Sequence, residues 1–221
     1  MNDFEQLSLV FEQEAKWLSL VIKYRLKNFI KPCKTIDEIY AVKINDFESI
    51  QTNYTDFILK NHLCFEERLL LALTIIPHIK PHFLIHEFRE YGFADSDDFY
   101  PVKRNYPAEF PEIGLSFKEN AVIPTGLTFL FLVSGRNIEQ RLKAALLLQG
   151  NTTLIKEKVI YLEEASSENV FYSGKLIFSK AYFDVFTSIQ NVNLKGQSHA
   201  DERKQACAKP PGRWIAQKSR R

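Results

Sequence analysis

The sequence is poor in cysteine and in long apolar runs. Its three cysteines, Cys33, Cys64 and Cys207, fit neither a zinc knuckle nor a CxxC pair, and an odd number argues against a disulfide framework. The best apolar run, residues 127–133, is far shorter than the roughly 18 residues that a membrane helix needs. Residues 1–14 carry four acidic groups and no basic group, the opposite of a secretory signal. We therefore expect a cytoplasmic chain with no membrane partner.

Glycine is also scarce, whereas phenylalanine is abundant. The 221 residues include 8 Gly and 18 Phe, and 45% of them are apolar. This composition favours packed helices over a loop-rich or disordered chain.

Charge divides the chain into two parts. Residues 195–221 contain eight Lys or Arg and two Asp or Glu, a balance of +6. Because the whole chain carries +2, residues 1–194 carry −4. A mildly acidic body is not typical of a nucleic-acid-binding face, which is usually basic. We predict a basic, disordered tail over 193–221.

Helical spacing dominates the first half. Apolar residues predict a helix over 4–30, with Asp3 as its N-cap and Pro32 as its stop. A capping-box pattern at 35–38 predicts a second helix over 36–58, so residues 1–60 should form a helical hairpin. Further helices are predicted over 62–76 and 81–90, followed by a polar loop over 92–112.

The second half changes character. A short apolar helix is predicted over 125–133 and an amphipathic helix over 137–149, with Ile138, Leu142, Ala145 and Leu146 facing inward. Gly150 is a natural stop, and two strand-like runs follow at 153–163 and 170–179. Two helices and then a β-hairpin is the order of a winged-helix domain, here 61–192. The predicted fold is therefore mainly α with a small β-hairpin.

The usual signatures of chemistry do not fit this sequence. The one Gly-Lys pair, Gly174-Lys175, has Leu176 where a P-loop needs a hydroxyl. Histidines recur every four residues at His78, His82 and His86, but Pro81 interrupts the helical register, so we expect structural histidines. The acidic run at 95–98 lacks the Gly and Glu of an EF-hand, and no nucleophile elbow occurs. We predict no catalytic, cofactor-binding or metal-binding residue.

The helix over 137–149 also allows a DNA-binding interpretation. Arg136, Gln140, Arg141 and Lys143 are residue types that contact bases or phosphates. Nearby glutamates at 139, 157, 163, 164 and 168 would repel phosphate. DNA binding is therefore kept as the alternative interpretation.

Several segments resemble the N-terminal winged-helix region of a group of bacterial AAA-family ATPases. The resemblance covers roughly residues 1–190, and its most specific parts are Pro-Thr-Gly-Leu-Thr-Phe-Leu and Ser-Gly-Lys-Leu. The similar segments are Phe65–Leu73, Pro77–Pro81, Phe110–Gly114, Pro124–Leu130 and Tyr172–Ser179.

That resemblance implies an ATPase module beyond this chain, which would bind ATP and magnesium. The expected role of residues 1–190 is then non-catalytic: self-assembly, or contact with a client or partner protein, through the long helices at 4–30 and 36–58. The likeness stops near 189–194, where the basic tail begins, which suggests a truncated product with an out-of-frame tail. The alternative is a winged-helix DNA-binding regulator.

Overall fold

The structure is a computed structural model that describes residues 2–30, 38–44, 47, 50–92, 115–118, 121–165 and 170–188. Its helices are α1 (Asp3–Ile30), α2 (Asn53–Lys60), α3 (Phe65–Ile79), α4 (Phe83–Gly92), α5 (Gly126–Ser134), α6 (Ile138–Leu146), α7 (Thr153–Lys156) and α8 (Lys180–Thr187). Its strands are β1 (Ser116–Lys118), β2 (Ala121–Ile123), β3 (Ile160–Leu162) and β4 (Leu176–Phe178). The mainly α fold with a small β-hairpin is confirmed.

The first long helix is confirmed, although its cap lies one residue earlier than predicted. Asn2 accepts a hydrogen bond from the Glu5 backbone at 2.9 Å, and the Glu5 carboxylate accepts one from the Asn2 backbone at 2.9 Å. This reciprocal pair occupies two amides that the first helical turn leaves unpaired. The buried side of α1 packs against α3 and α4.

The predicted second helix over 36–58 is wrong. A short 3₁₀ turn covers Glu38–Ala41, residues 42–44 and 50–52 are not helical, and α2 begins only after Thr52. The hydroxyl of Thr52 accepts from the Thr55 amide at 3.1 Å, and the Thr55 hydroxyl donates to the Ile50 carbonyl at 2.8 Å. These local bonds start a new helix at a position where apolar periodicity alone predicts a continuous one.

The predicted capping residue Thr35, the stop Pro32, the polar loop over 93–112 and the tail over 193–221 lie outside the described residues. Elements on both sides of residue 60 belong to one compact unit, Met1–Gln190.

Helix α3 forms the centre of the core and is shifted from the predicted 62–76, because it begins and ends three residues later. Its residues from Arg68 to Ile76 are buried on every side, which agrees with the apolar run in the sequence. The helix continues through Pro77 for one more turn, and the Lys80 amide still donates to the Ile76 carbonyl at 2.8 Å. Proline therefore lies at the last turn, where its missing amide removes a single helical bond.

The β-structure consists of two antiparallel pairs. β1 pairs with β2, and β3 pairs with β4 through Ile160–Phe178, Tyr161–Ile177 and Leu162–Leu176. The chain after β2 also lies along β4, because Thr125 forms a bridge with Lys175 and the Leu176 amide donates to the Pro124 carbonyl at 2.8 Å. The segment before α5 is thus joined to the hairpin after α6.

Two strand predictions are only partly correct. The run over 153–163 begins as helix α7, because the Thr152 hydroxyl accepts from the Ile155 amide at 3.2 Å, and only its end becomes β3. The run over 170–179 is a strand only at β4. The prediction missed the β1–β2 pair and α8.

Candidate protein-contact surface

Helix α6 presents its large aliphatic side chains to solvent. Ile138 is 74% exposed, Leu142 65% and Leu146 50%. They occur at i, i+4 and i+8, so they line one side of the helix over about 12 Å. We call these three residues the α6 stripe.

The structure overturns most of the predicted orientation of this helix. Ile138, Leu142, Ala145 and Leu146 were expected to face inward, but only Ala145 of these four is buried, together with Ala144. Small alanines let α6 pack closely against α5, which is itself buried along nearly its whole length. The amphipathic pattern correctly marks an apolar side, but nothing within the described part of the chain covers it.

A second exposed apolar site lies in the β3–β4 loop. Phe171 is 84% exposed and Val170 is 70% exposed. The next residue, Tyr172, has a left-handed φ of 69° and is held by two hydrogen bonds. Its carbonyl accepts from the Leu127 amide at 2.8 Å, and its hydroxyl accepts from the Gln149 side chain at 2.6 Å.

The Gln149 bond joins this loop to the turn directly after α6. The loop that carries Phe171 is therefore fixed to the C-terminal end of the helix that carries the stripe. Sequence reasoning missed Val170 and Phe171 because it placed them inside a strand. Their position directly after a polar turn was the available signal.

The orientation of α6 is fixed by a residue of α1. Arg25 is buried, and its guanidinium donates to the carbonyls of Leu132 and Val133 at 2.8 and 2.7 Å. These carbonyls lie in the last turn of α5, where the helix leaves acceptors unpaired. Gly135 follows with a φ of 52°, and a Cβ there would lie 2.5 Å from the Arg25 side chain. The α5–α6 turn is thus held from the body of the protein.

The four candidate DNA-binding residues do not share one open face. Arg136 is exposed, Gln140 and Arg141 are half-buried, and Lys143 donates to Glu139 at 2.7 Å. That ion pair lowers the pKa of Glu139. The aliphatic stripe and the Glu139–Lys143 ion pair are both open to solvent, and the basic residues of α6 flank the stripe. DNA binding by this helix stays a prediction.

The Gly174-Lys175 pair lies directly before β4, with Lys175 in an antiparallel bridge to Thr125, so a strand and not a helix follows it. A Cβ on Gly174 would lie 1.7 Å from the Glu163 carbonyl oxygen, so glycine is needed for strand contact. The Lys175 ammonium lies 3.3 Å from the Glu163 carboxylate. This is not the phosphate-wrapping loop of a P-loop, which precedes a helix.

The three spaced histidines are divided between elements. His78 lies near the end of α3, His82 in the turn after it and His86 in α4. The ring of His78 lies 5.7 Å from that of Phe183, and this partial burial lowers the pKa of His78. Among the described residues, no group of three or more potential ligands could hold a metal ion.

The apolar side of α1, which was predicted to be a contact surface, lies largely in the core. Leu18 and Ile22 are fully buried, so a lysine at either position would report on folding instead of assembly. The predicted contact surface on 36–58 is not one helical face, because this segment is helical only at Glu38–Ala41 and from Asn53 onward.

Large apolar residues are also exposed on α1 and α2, at Phe4, Leu20 and Leu59. Among the described residues, the three largest exposed fractions are those of Phe171, Ile138 and Val170, in the β3–β4 loop and on α6.

No helix in the described ranges has an apolar stretch that could cross a bilayer. Comparisons of the chain with protein-family models, curated proteins and solved structures find no match.

Proposed function

We propose that this chain is a non-catalytic protein-contact module, which binds a partner protein or another copy of itself through the α6 stripe. The observation that carries the proposal is the exposure of Ile138, Leu142 and Leu146 on one side of a well-anchored helix. Contiguous exposed apolar residues on an ordered element are typical of interaction sites, because leaving them in water is unfavourable.

We also propose that the chain is the winged-helix region of a AAA-type ATPase and works in the cytoplasm. The resemblance of Pro124–Leu130 and Tyr172–Ser179 to that family supports this. The pairing of the segment before α5 with β4 gives the strand arrangement that a winged helix would have. ATP and magnesium would then bind in a different module of the family.

Site-specific photocrosslinking in cells tests the contact proposal. A photoreactive residue at Leu142 should give a discrete protein adduct, because Leu142 lies at the centre of the stripe. The matched control is Leu59, an exposed leucine on α2, which should give no such adduct. The Leu142 adduct should disappear when Ile138→Glu is added. Equal yields at both positions would refute the proposal.

Nucleotide assays and sequencing of the locus test the ATPase proposal. The purified chain should neither bind nor hydrolyse ATP, and a Walker A motif should lie in a neighbouring frame. ATP turnover that is lost in Lys175→Ala would place a nucleotide site where we propose none. An intact stop codon with no downstream reading frame that encodes an ATPase module would refute the family proposal.

The second candidate is a DNA-binding regulator, and the order of α5, a short turn, α6 and then, after α7, the β3–β4 hairpin favours it. Binding that falls steeply with salt and weakens in Arg136→Ala and Arg141→Ala would support it. Affinity that disappears when Lys195 to Arg221 is deleted would belong to the tail.

A further inference from the structure

Helix α6 and the turn before it carry a net positive charge along their own sequence. From Arg136 to Leu146 there are three basic residues and one acidic residue, Glu139. With 100° between successive residues, Arg141 lies on one side of the stripe, and the ion pair of Lys143 with Glu139 lies on the other. A surface that binds this helix should therefore combine an apolar contact with negative charge.

The first turns of α1 form a surface of that kind. Phe4, Ser8 and Glu12 are exposed at i, i+4 and i+8, with Glu5 beside them, and Phe4 is 68% exposed. Asp3 adds a further exposed carboxylate, and residues 1–14 contain no basic group. We call this face the α1 acidic end. It has the same length as the α6 stripe, about 12 Å.

The two surfaces do not cover each other within one chain. Phe4 and the α6 stripe are both exposed in the folded unit. Arg25, which holds the α5–α6 turn, lies 21 positions after Phe4 on the same helix, or about 32 Å along its axis. Because both surfaces are exposed, both are available to a neighbouring molecule. Their opposite charge makes them complementary to each other.

We propose that the occupant of the α6 stripe is the α1 acidic end of a second copy of this chain. Phe4 would pack on the stripe, and the carboxylates of Asp3, Glu5 and Glu12 would face Arg136, Arg141 and Lys143. The interface joins two different surfaces, so it is head-to-tail, and such contacts close into rings or extend into filaments. This inference rests on the proposed contact function and identifies the partner as a second copy of the chain.

Two single variants test this interface. Leu142→Glu places a carboxylate at the centre of the α6 stripe. Phe4→Lys replaces the apolar residue of the α1 acidic end with a cation. Both positions are exposed, so the fold should be kept. The matched control is Leu59→Glu on α2. Far-UV circular dichroism and urea midpoints check folding, and sedimentation equilibrium gives the molar mass as protein concentration rises.

The wild type and Leu59→Glu should associate with concentration, and each interface variant alone should associate at least about tenfold more weakly. An equimolar mixture of the two variants should form a dimer, because one intact stripe then meets one intact acidic end. A head-to-tail interface predicts this rescue, whereas stripe-to-stripe pairing does not.

A wild type that stays monomeric, a mixture without rescue, or association that survives Leu142→Glu would overturn the proposal. These results are distinct from failure of the contact function. A monomeric wild type whose Leu142 photoadduct contains a different protein would retain the contact function and reject self-association.

Discussion

At the scale of single residues, the helical core depends on a carboxylate, a guanidinium and a phenol removed from water. Glu14 of α1 accepts hydrogen bonds from Arg68 of α3 and, at 2.9 Å, from the hydroxyl of Tyr54 of α2. Burial raises the pKa of Glu14 despite the neighbouring Arg68. The Arg68 guanidinium lies 4.4 Å from the ring centroid of Phe47. Three helices are therefore joined by one buried polar cluster.

We predict that Arg68→Met destabilises the protein by about 3–5 kcal/mol, because it leaves the Glu14 carboxylate buried without its cation. The double variant Glu14→Leu/Arg68→Met should cost less than this single change, since no buried charge remains. Tyr54→Phe, which removes one hydrogen bond, should cost about 1 kcal/mol. Urea denaturation measures all three. A double variant less stable than Arg68→Met would contradict this explanation.

A second prediction concerns His78. His78 is exposed at the surface, but its ring packs beside Phe178 and Phe183, and this partial desolvation lowers its pKa below the ordinary 6.5. The folded state therefore binds this proton less readily than the unfolded state. The stability from His78 is thus complete above pH 6.5 and is lost as pH falls through the folded pKa.

The wild type should therefore lose more stability than His78→Gln between about pH 7.5 and about pH 5.5. The measurement is the shift of the urea midpoint at the two pH values. His86→Gln is the control, because the His86 side chain is 70% exposed. An equal shift in wild type and His78→Gln would show that His78 does not contribute.

At the scale of elements, short polar bonds decide where helices begin and end. Thr125 caps α5 through a reciprocal pair with Thr128, and Asn137 caps α6 by accepting from the Gln140 amide at 3.0 Å. Between them, the α5–α6 turn depends on Gly135 and Arg25. This turn sets the direction in which α6 leaves the body, and so the direction that the stripe faces.

We predict that Gly135→Ala destabilises the protein by about 1–3 kcal/mol, because alanine is strained at positive φ and its Cβ would meet Arg25. The control is Gly150→Ala. Gly150 also has positive φ, 99°, but has no atom within 4 Å of an added Cβ. Thermal unfolding of both variants should show the larger loss at Gly135. Equal losses would assign the whole effect to backbone strain.

At the scale of the whole molecule, the acidic and the basic exposed surfaces lie on two different helices, α1 and α6. The acidic end of α1 and the basic surroundings of the α6 stripe are both exposed, and the carboxylates outnumber the basic groups over 1–194. Head-to-tail association would bring the two surfaces together, whereas pairing of like surfaces would bring like charges together.

We predict that self-association weakens when the salt concentration rises from about 50 to about 500 mM, because the shorter Debye length screens the attraction between the facing charges. Lys143→Glu should remove most of this salt dependence, since it reverses a charge beside the stripe. Sedimentation equilibrium at each salt concentration measures it. Association that strengthens with salt would indicate a purely apolar interface instead.

Local signals explain which predictions succeeded. The helix over 4–30, the helix near 125–133 and the β3–β4 hairpin follow from periodicity and turn residues that lie close together in the chain. The helix predicted over 36–58 failed because the bonds of Thr52 and Thr55 interrupt it. The strand predicted over 153–163 failed in its first part for a similar reason, since the Thr152 cap starts helix α7 there.

By itself, the sequence determined the mainly helical class, the apolar side of α6 and the charge difference between chain segments, because these depend on residues near one another in sequence. Only the tertiary structure decided which apolar sides are covered. Leu18 and Leu142 belong to similar amphipathic patterns, yet α3 and α4 pack against α1, whereas the alanines of α6 provide its contact with α5. Burial depends on neighbours that are distant in sequence, and periodicity within one helix contains no information about them.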